Sequence, residues 1–234
     1  MNYTKMSLCS CAHSLMNNET SFNNLKKHFE HDSIDYDNFC KILQDSKAII
    51  SGGTILRAIN SDKEERYVLP DVDIYVNESN SNTLLNFLNK LFDYSNIPLK
   101  DSQGNIYYYK FQERHTKDTE YMGKFENIVE LYNYTCRVER KVCDFEAMYY
   151  IRPYQVIIID DTIPVVNFVS KFDLTFCQNY FDGKDFFSYH PNCVLSKKGY
   201  ITRYIDIDYW YRVDKYEKRG YTIVNKDDNE KFKK

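Results

Sequence analysis

Two rhythms of apolar residues run along this chain. Tyr36, Phe39, Ile42 and Leu43 recur at helical spacing, and Ser33 or Asp35 stands where such a helix would be capped. Residues 47–51 read as a short buried strand, with Ala48, Ile49 and Ile50 apolar in a row, ended by Gly52 and Gly53. A helix over 54–60 starts directly after the glycines, and residues 61–70 form a charged loop. Residues 71–76 then alternate cleanly: Val72, Ile74 and Val76 on one face, Asp71, Asp73 and Tyr75 on the other. Leu84, Leu85, Leu88, Leu91 and Phe92 make the apolar stripe of a helix over 81–94.

The second half reads mostly as strands. Residues 105–111, 128–137 and 154–159 fit strands, 115–124 an exposed loop, and 144–149 either a helix or a strand. Residues 165–180 carry a further strand, with Phe172, Leu174 and Phe176 pointing one way and Lys171, Asp173 and Thr175 the other. Residues 191–198 are irregular, 202–219 predict a last helix that Gly220 closes, and 225–234 form a charged tail. At the other end, residues 1–31 are polar, and Phe22, Leu25 and Phe29 leave a short helix and a loose arm equally open. This order predicts an α/β (α+β) protein: one mixed sheet with helices on one side. Its units are an arm at 1–31, a core at 32–190, a helical segment at 191–224 and the tail.

The length, 234 residues, suits one domain of ordinary size. The 22 Tyr and 15 Phe add a Tyr-rich surface or groove, because a tyrosine packs its ring and keeps its hydroxyl wet. A net charge of −3 removes any general pull toward nucleic acid but leaves room for a local basic face. The seven Cys are odd in number and widely spaced. Only Cys9 and Cys11 lie close, and no paired CxxC is present, so the expectation is reduced thiols in a cytosolic or nuclear protein. No secretory h-region and no apolar run of about 18 residues is visible, so neither secretion nor a membrane span is expected.

The chemistry gathers at SGGTILRAIN and DVDIYV. Glycine between a strand and a helix lets backbone N–H groups approach a ligand, and a helix N-terminus adds unpaired N–H groups and partial positive charge. Such a turn suits phosphate, and Ser51 and Thr54 can add hydroxyl donors; taken alone, the glycine pair fits a plain tight turn as well. Asp71 and Asp73 are two apart on a strand, so both carboxylates share a face about 6.5–7 Å apart and can reach one cluster of hard cations. Alone, this D-x-D fits a charged solvent face; just behind the glycine turn it points to phosphoryl chemistry.

Gly52-Gly53 at a strand end, a helix, then Asp71-x-Asp73 on the next strand resembles the nucleotidyltransferase superfamily related to DNA polymerase β. GGTILR is similar to the GG-x-V-R-D start of CCA-adding enzymes, with one extra residue before Arg57 and Ala58 in place of the acid. The wider pattern looks like small nucleotidyltransferase-like proteins, some of them from large DNA viruses. Seventeen residues separate Gly53 from Asp71, more than in compact members.

The resemblance implies a nucleotidyltransferase fold and transfer of a nucleoside monophosphate from an NTP such as ATP to a hydroxyl acceptor, releasing pyrophosphate. The acceptor stays open between an RNA end, a nucleotide and a protein, and a catalytically silent binding module is the alternative. Ser51, Gly52, Gly53 and Thr54 would hold the phosphates, with Arg57 a further candidate for phosphate or a solvated helix residue. Asp71 and Asp73 would bind two Mg²⁺ (or Mn²⁺) ions, with a third carboxylate on a neighbouring strand. Asp173 is the first choice for it, ahead of Asp144 and Glu146, then Asp160 and Asp161. Arg212, Lys215 and Arg219 share a face of the last helix, either lining the cleft or simply solvated. Tyr209, Trp210 and Tyr211 can stack on a base, but packing against the sheet is the expected fate of at least two.

Overall fold

The computed structural model describes residues 13–14, 19–32, 34–60, 71–92, 97–100, 106–109, 112–115, 127–143, 146–203 and 209–227. Strand β1 (His13–Ser14) precedes α1 (Glu19–His31) and α2 (Tyr36–Asp45). Phe22, Leu25 and Phe29 do form a working stripe: Leu25 and Phe29 are fully buried, so the second part of the expected arm is a core helix. In α2, the Asp35 carboxylate accepts the Asn38 N–H and caps the helix, while Phe39 and Leu43 enter the core.

Next come β2 (Ile49–Ser51), α3 (Gly53–Asn60), β3 (Val72–Asn77) and α4 (Ser81–Leu91). Strands β4 (Ile97–Lys100) and β5 (Ile106–Tyr109) pair with each other. Then follow β6 (Gln112–His115) and the long antiparallel pair β7 (Ile128–Cys143) and β8 (Glu146–Ile159), so the segment that fitted either helix or strand is a strand from Glu146 onward. The last elements are α5 (Val165–Val169), β9 (Asn179–Phe181), β10 (Phe186–Ser188), α6 (Pro191–Ser196), β11 (Lys198–Gly199), α7 (Tyr209–Lys218) and β12 (Thr222–Ile223).

Eight strands form one mixed sheet in the order β1-β10-β9-β2-β3-β8-β7-β6. β2 runs antiparallel to β3 and β9, whereas β3 runs parallel to β8. Helices cover both faces, not one. Val72, Ile74 and Val76 of β3 pack with α1, α2 and α4, and Tyr75 packs on the other face against Phe168 of α5. A third cluster lies between α3, α6 and α7 around Phe176, Val194, Val213 and Tyr216. Helix α3 serves two of these cores: Ile55 and Ala58 enter the first, Leu56 the third.

Three further expectations need correction. Residues 165–180 are not one strand: α5, a loop and a 3-10 turn at Thr175–Cys177 precede β9. Residues 191–198 hold a short helix, with Pro191 at its first position, where the missing N–H costs nothing. The last helix begins at Tyr209 and ends before Gly220, whose φ of +79° reverses the chain. The charged loop at 61–70, the extreme N-terminus, residues 116–126 and the tail at 228–234 lie outside the described residues.

Candidate nucleotide and metal site

The glycine turn and the aspartate strand meet through sheet register. Ser51, the last residue of β2, is the Cα partner of Asp73 on β3 and of Tyr180 on β9. Gly52 follows with φ +83°, a conformation that side chains other than glycine's rarely adopt. Its carbonyl accepts the Leu56 N–H at 3.2 Å, so the turn leads straight into α3. The N–H groups of that helix's first turn have no carbonyl behind them within the helix. A Cβ at position 52 would stand 2.9 Å from Asp73 Oδ2. The Asp73 carboxylate therefore lies over the turn, in space that only a glycine leaves free.

Asp71, just ahead of β3, is exposed, and Asp73 is half-buried. The Asp73 carboxyl is pushed up to about 7, first by burial and then by the Asp71 carboxylate; Lys215 and Arg212 pull in the opposite direction. Two cations of α7 thus act on the Asp73 charge. One of them is fixed: Arg212 donates to Asp173 Oδ1 at 2.8 Å, with the Asp173 side chain mostly buried.

Mg²⁺ prefers hard oxygen donors, and a pair of carboxylates, one resisting ionisation beside the other, is a donor set that a divalent cation relieves. Asp71 and Asp73 fit that role. A third ligand does not join them: among the described residues, no group of three or more His, Cys, Asp or Glu side chains comes together as a metal site.

Asp173 stands in the loop before the Thr175–Cys177 turn, not on a strand. Its carbonyl accepts the Thr202 N–H at 2.8 Å and its carboxylate holds Arg212. The neighbours of β3 are β2, where Ser51 faces Asp73, and β8, where the partner of Asp73 is Gln155, whose amide donates to Asn133 at 3.1 Å. Asp144 and the Glu146 side chain lie outside the described residues. Asp160 and Asp161 end β8 in a turn: Asp160 accepts from Thr162 and Asn127, Asp161 from Ser79.

The two hydroxyls nearest the glycines are engaged within the fold. Ser51 is fully buried and donates to the Asn179 carbonyl at 2.5 Å. Buried Thr54 donates to the Asp71 carbonyl at 2.7 Å, tying α3 to the start of β3. They shape the turn, which leaves backbone N–H groups as its donors. Arg57 is half-buried one turn into α3. Packing against the sheet is not the fate of Trp210 and Tyr211: they are 64% and 70% exposed.

Compared with family models, with curated proteins and with solved structures, the chain finds no match in any of the three. Among the described residues no helix is long and apolar enough to cross a membrane. What the fold defines is a mixed α/β protein whose strand–glycine–helix turn lies against the Asp73 carboxylate.

Proposed function

We propose that the protein is a metal-dependent nucleotidyltransferase. One observation carries this reading: the Gly52 turn and the Asp73 carboxylate are in contact, so phosphate-binding N–H groups and cation-binding oxygens address one volume. Two motifs that are each common alone are adjacent in space.

In this reading the turn at Gly52-Gly53 cradles the β- and γ-phosphates of a nucleoside triphosphate, and Asp71 and Asp73 hold Mg²⁺ or Mn²⁺. A divalent cation bound there supplies charge neutralisation to the phosphates. Lys215 and Arg212 add positive charge that acts on Asp73. The acceptor hydroxyl oxygen bonds to the α-phosphorus, the bond from that phosphorus to the bridging oxygen breaks, pyrophosphate leaves, and the hydroxyl proton passes to water. The protein's part is positioning and electrostatic stabilisation. Asp173 enters as the anchor of Arg212, not as a metal ligand.

A second reading is a nucleotide-binding module without catalysis. It is favoured by Gln155, an amide where a strand-borne third carboxylate would stand. Incubation with each labelled NTP, Mg²⁺ or Mn²⁺, and pools of RNA, nucleotides and protein separates the two. The first reading expects transfer that is lost in Asp71→Ala/Asp73→Ala. The second expects saturable NTP binding without transfer. Transfer that persists in the double variant refutes the site.

A further inference from the structure

The acceptor is the part of the reaction that the glycine turn and aspartates do not define. Helix α7 bears on it, because its Lys215 and Arg212 act on the Asp73 charge and because, among the described residues, it presents the exposed rings of Trp210 and Tyr211.

Along α7 the environments follow helical spacing. Val213 and Tyr216 are buried, Arg212, Lys215 and Arg219 flank them half-buried, and Trp210 and Tyr211 face solvent. Tyr211 and Lys215 are four apart, so ring and ammonium group share a ridge on the flank next to Arg212. Its two acids do not dominate this helix: Asp214 is paired with Lys218 at 2.6 Å and Glu217 with Lys226 at 2.8 Å.

Charge is unevenly divided along the chain. Residues 191–234 contain 11 basic and 7 acidic residues, whereas residues 1–190 contain 20 and 27. The overall −3 therefore hides a cationic C-terminal segment next to an anionic remainder. Exposed rings interleaved with cations are the two ingredients of single-strand recognition: bases stack on the rings and phosphates meet the charges. A protein surface complementary to this patch would have to be acidic and apolar at once. A single strand meets both demands along one backbone.

We infer that α7 is a platform for a single-stranded nucleic-acid end, with bases stacked on Trp210 and Tyr211 and the backbone led past Lys215 toward Asp73. The inference rests on the nucleotidyltransferase reading for its role as acceptor site, but not for the binding itself.

Trp210 is the chain's single tryptophan, so its fluorescence reports on this surface alone. The full-length protein is titrated with an unlabelled 12-nucleotide single-stranded RNA while Trp210 emission is followed, and with its fluorescein-labelled form while anisotropy is followed. Binding is expected to quench Trp210 and to weaken about 10- to 20-fold between 50 and 200 mM salt if about three phosphates are contacted. Trp210→Ala is expected to weaken binding about 10-fold, Trp210→Phe less, because the phenyl ring still stacks.

Absence of RNA binding overturns the inference. So does binding that leaves Trp210 emission unchanged, binding by folded Trp210→Ala equal to wild type, or tighter binding of the same sequence as a duplex. RNA binding with quenching but no nucleotide transfer in the labelled-NTP assay leaves the surface standing and refutes the reaction. Transfer to a nucleotide or protein without RNA binding does the reverse.

Discussion

Replacing Gly52 by alanine would separate the backbone demand of the turn from its contact with Asp73. At φ +83° a Cβ costs on the order of 1–2 kcal/mol from backbone crowding alone. The new methyl also stands 2.9 Å from Asp73 Oδ2, closer than real Cβ contacts come, so the carboxylate must swing away. That movement is cheap in stability, because Oδ2 is the free end of a side chain, but it displaces a proposed cation ligand. Gly220 supplies the control: its φ is +79° and nothing lies within 4 Å of its Cβ position. Urea unfolding of Gly52→Ala and Gly220→Ala is expected to show similar losses of about 1–2 kcal/mol. Thermal midpoints are expected to fall about 2–4 °C per kcal/mol in a chain of this size. Mn²⁺ binding, followed by calorimetry, and nucleotide transfer divide the pair. A shift of about 1 Å in a catalytic group costs on the order of 100-fold, so Gly52→Ala loses transfer and binds Mn²⁺ weakly while Gly220→Ala keeps both. A Gly52→Ala protein with wild-type stability and intact Mn²⁺ binding would show that Asp73 does not lie over the turn.

Other perturbations address different parts of the molecule. In EDTA, the Asp73 carboxyl, raised to about 7 from an ordinary 3.8, destabilises the fold when ionised: its stabilising share is complete below pH 4 and is lost as pH rises through 7. Asp73→Asn should accordingly be more stable than wild type at pH 8, by at most about 4 kcal/mol, with the difference closing toward pH 4; a gap that does not vary with pH contradicts the burial of that carboxyl. Arg152 and the Asp32 side chain are wholly buried and paired, with Tyr154 donating to the same carboxylate. Asp32→Ala, which strands the guanidinium, should cost about 3–5 kcal/mol in urea unfolding, whereas Asp32→Leu/Arg152→Met should recover most of it; equal losses in both would mean the pair is not the cause. Buried Cys40 and Cys177 have thiols pushed up to about 11 and about 12, chiefly by burial. Peptide mapping after brief alkylation of the native protein should find both unlabelled, and rapid labelling of either would place it at the surface.

Much of the site's local architecture was legible because it is written in neighbouring residues. The apolar run before Gly52, the helix after it, the alternation of β3 and the Asp35 cap all follow from short-range patterns. What escaped depends on distant pairing. Phe172, Leu174 and Phe176 alternate like a strand, yet they are apolar because two different clusters surround a loop and a 3-10 turn. Alternation records which side chains are covered, not by what backbone, and so it points Asp173 to a strand where the fold has a loop. The position of Gln155 beside Asp73 comes from β3–β8 register, which no local pattern encodes. A hydroxyl beside glycines suits a ligand and a fold contact equally in the sequence; the carbonyls that claim Ser51 and Thr54 come from Asn179 and Asp71. Helix α1 was half visible, since its three aromatic and aliphatic anchors sit among asparagines that dilute the signal.

The Asp73 carboxylate and the cations of α7 come from stretches about 140 residues apart, the kind of non-local pairing whose loop closure is slow to be rewarded during folding. A nascent chain that has emerged only as far as β10 already contains both aspartates and the glycine turn but none of the charge that balances them. The balance of charge at the site is thus a late product of biosynthesis: until the final helix is added, Asp71 and Asp73 face each other without the cations that offset them.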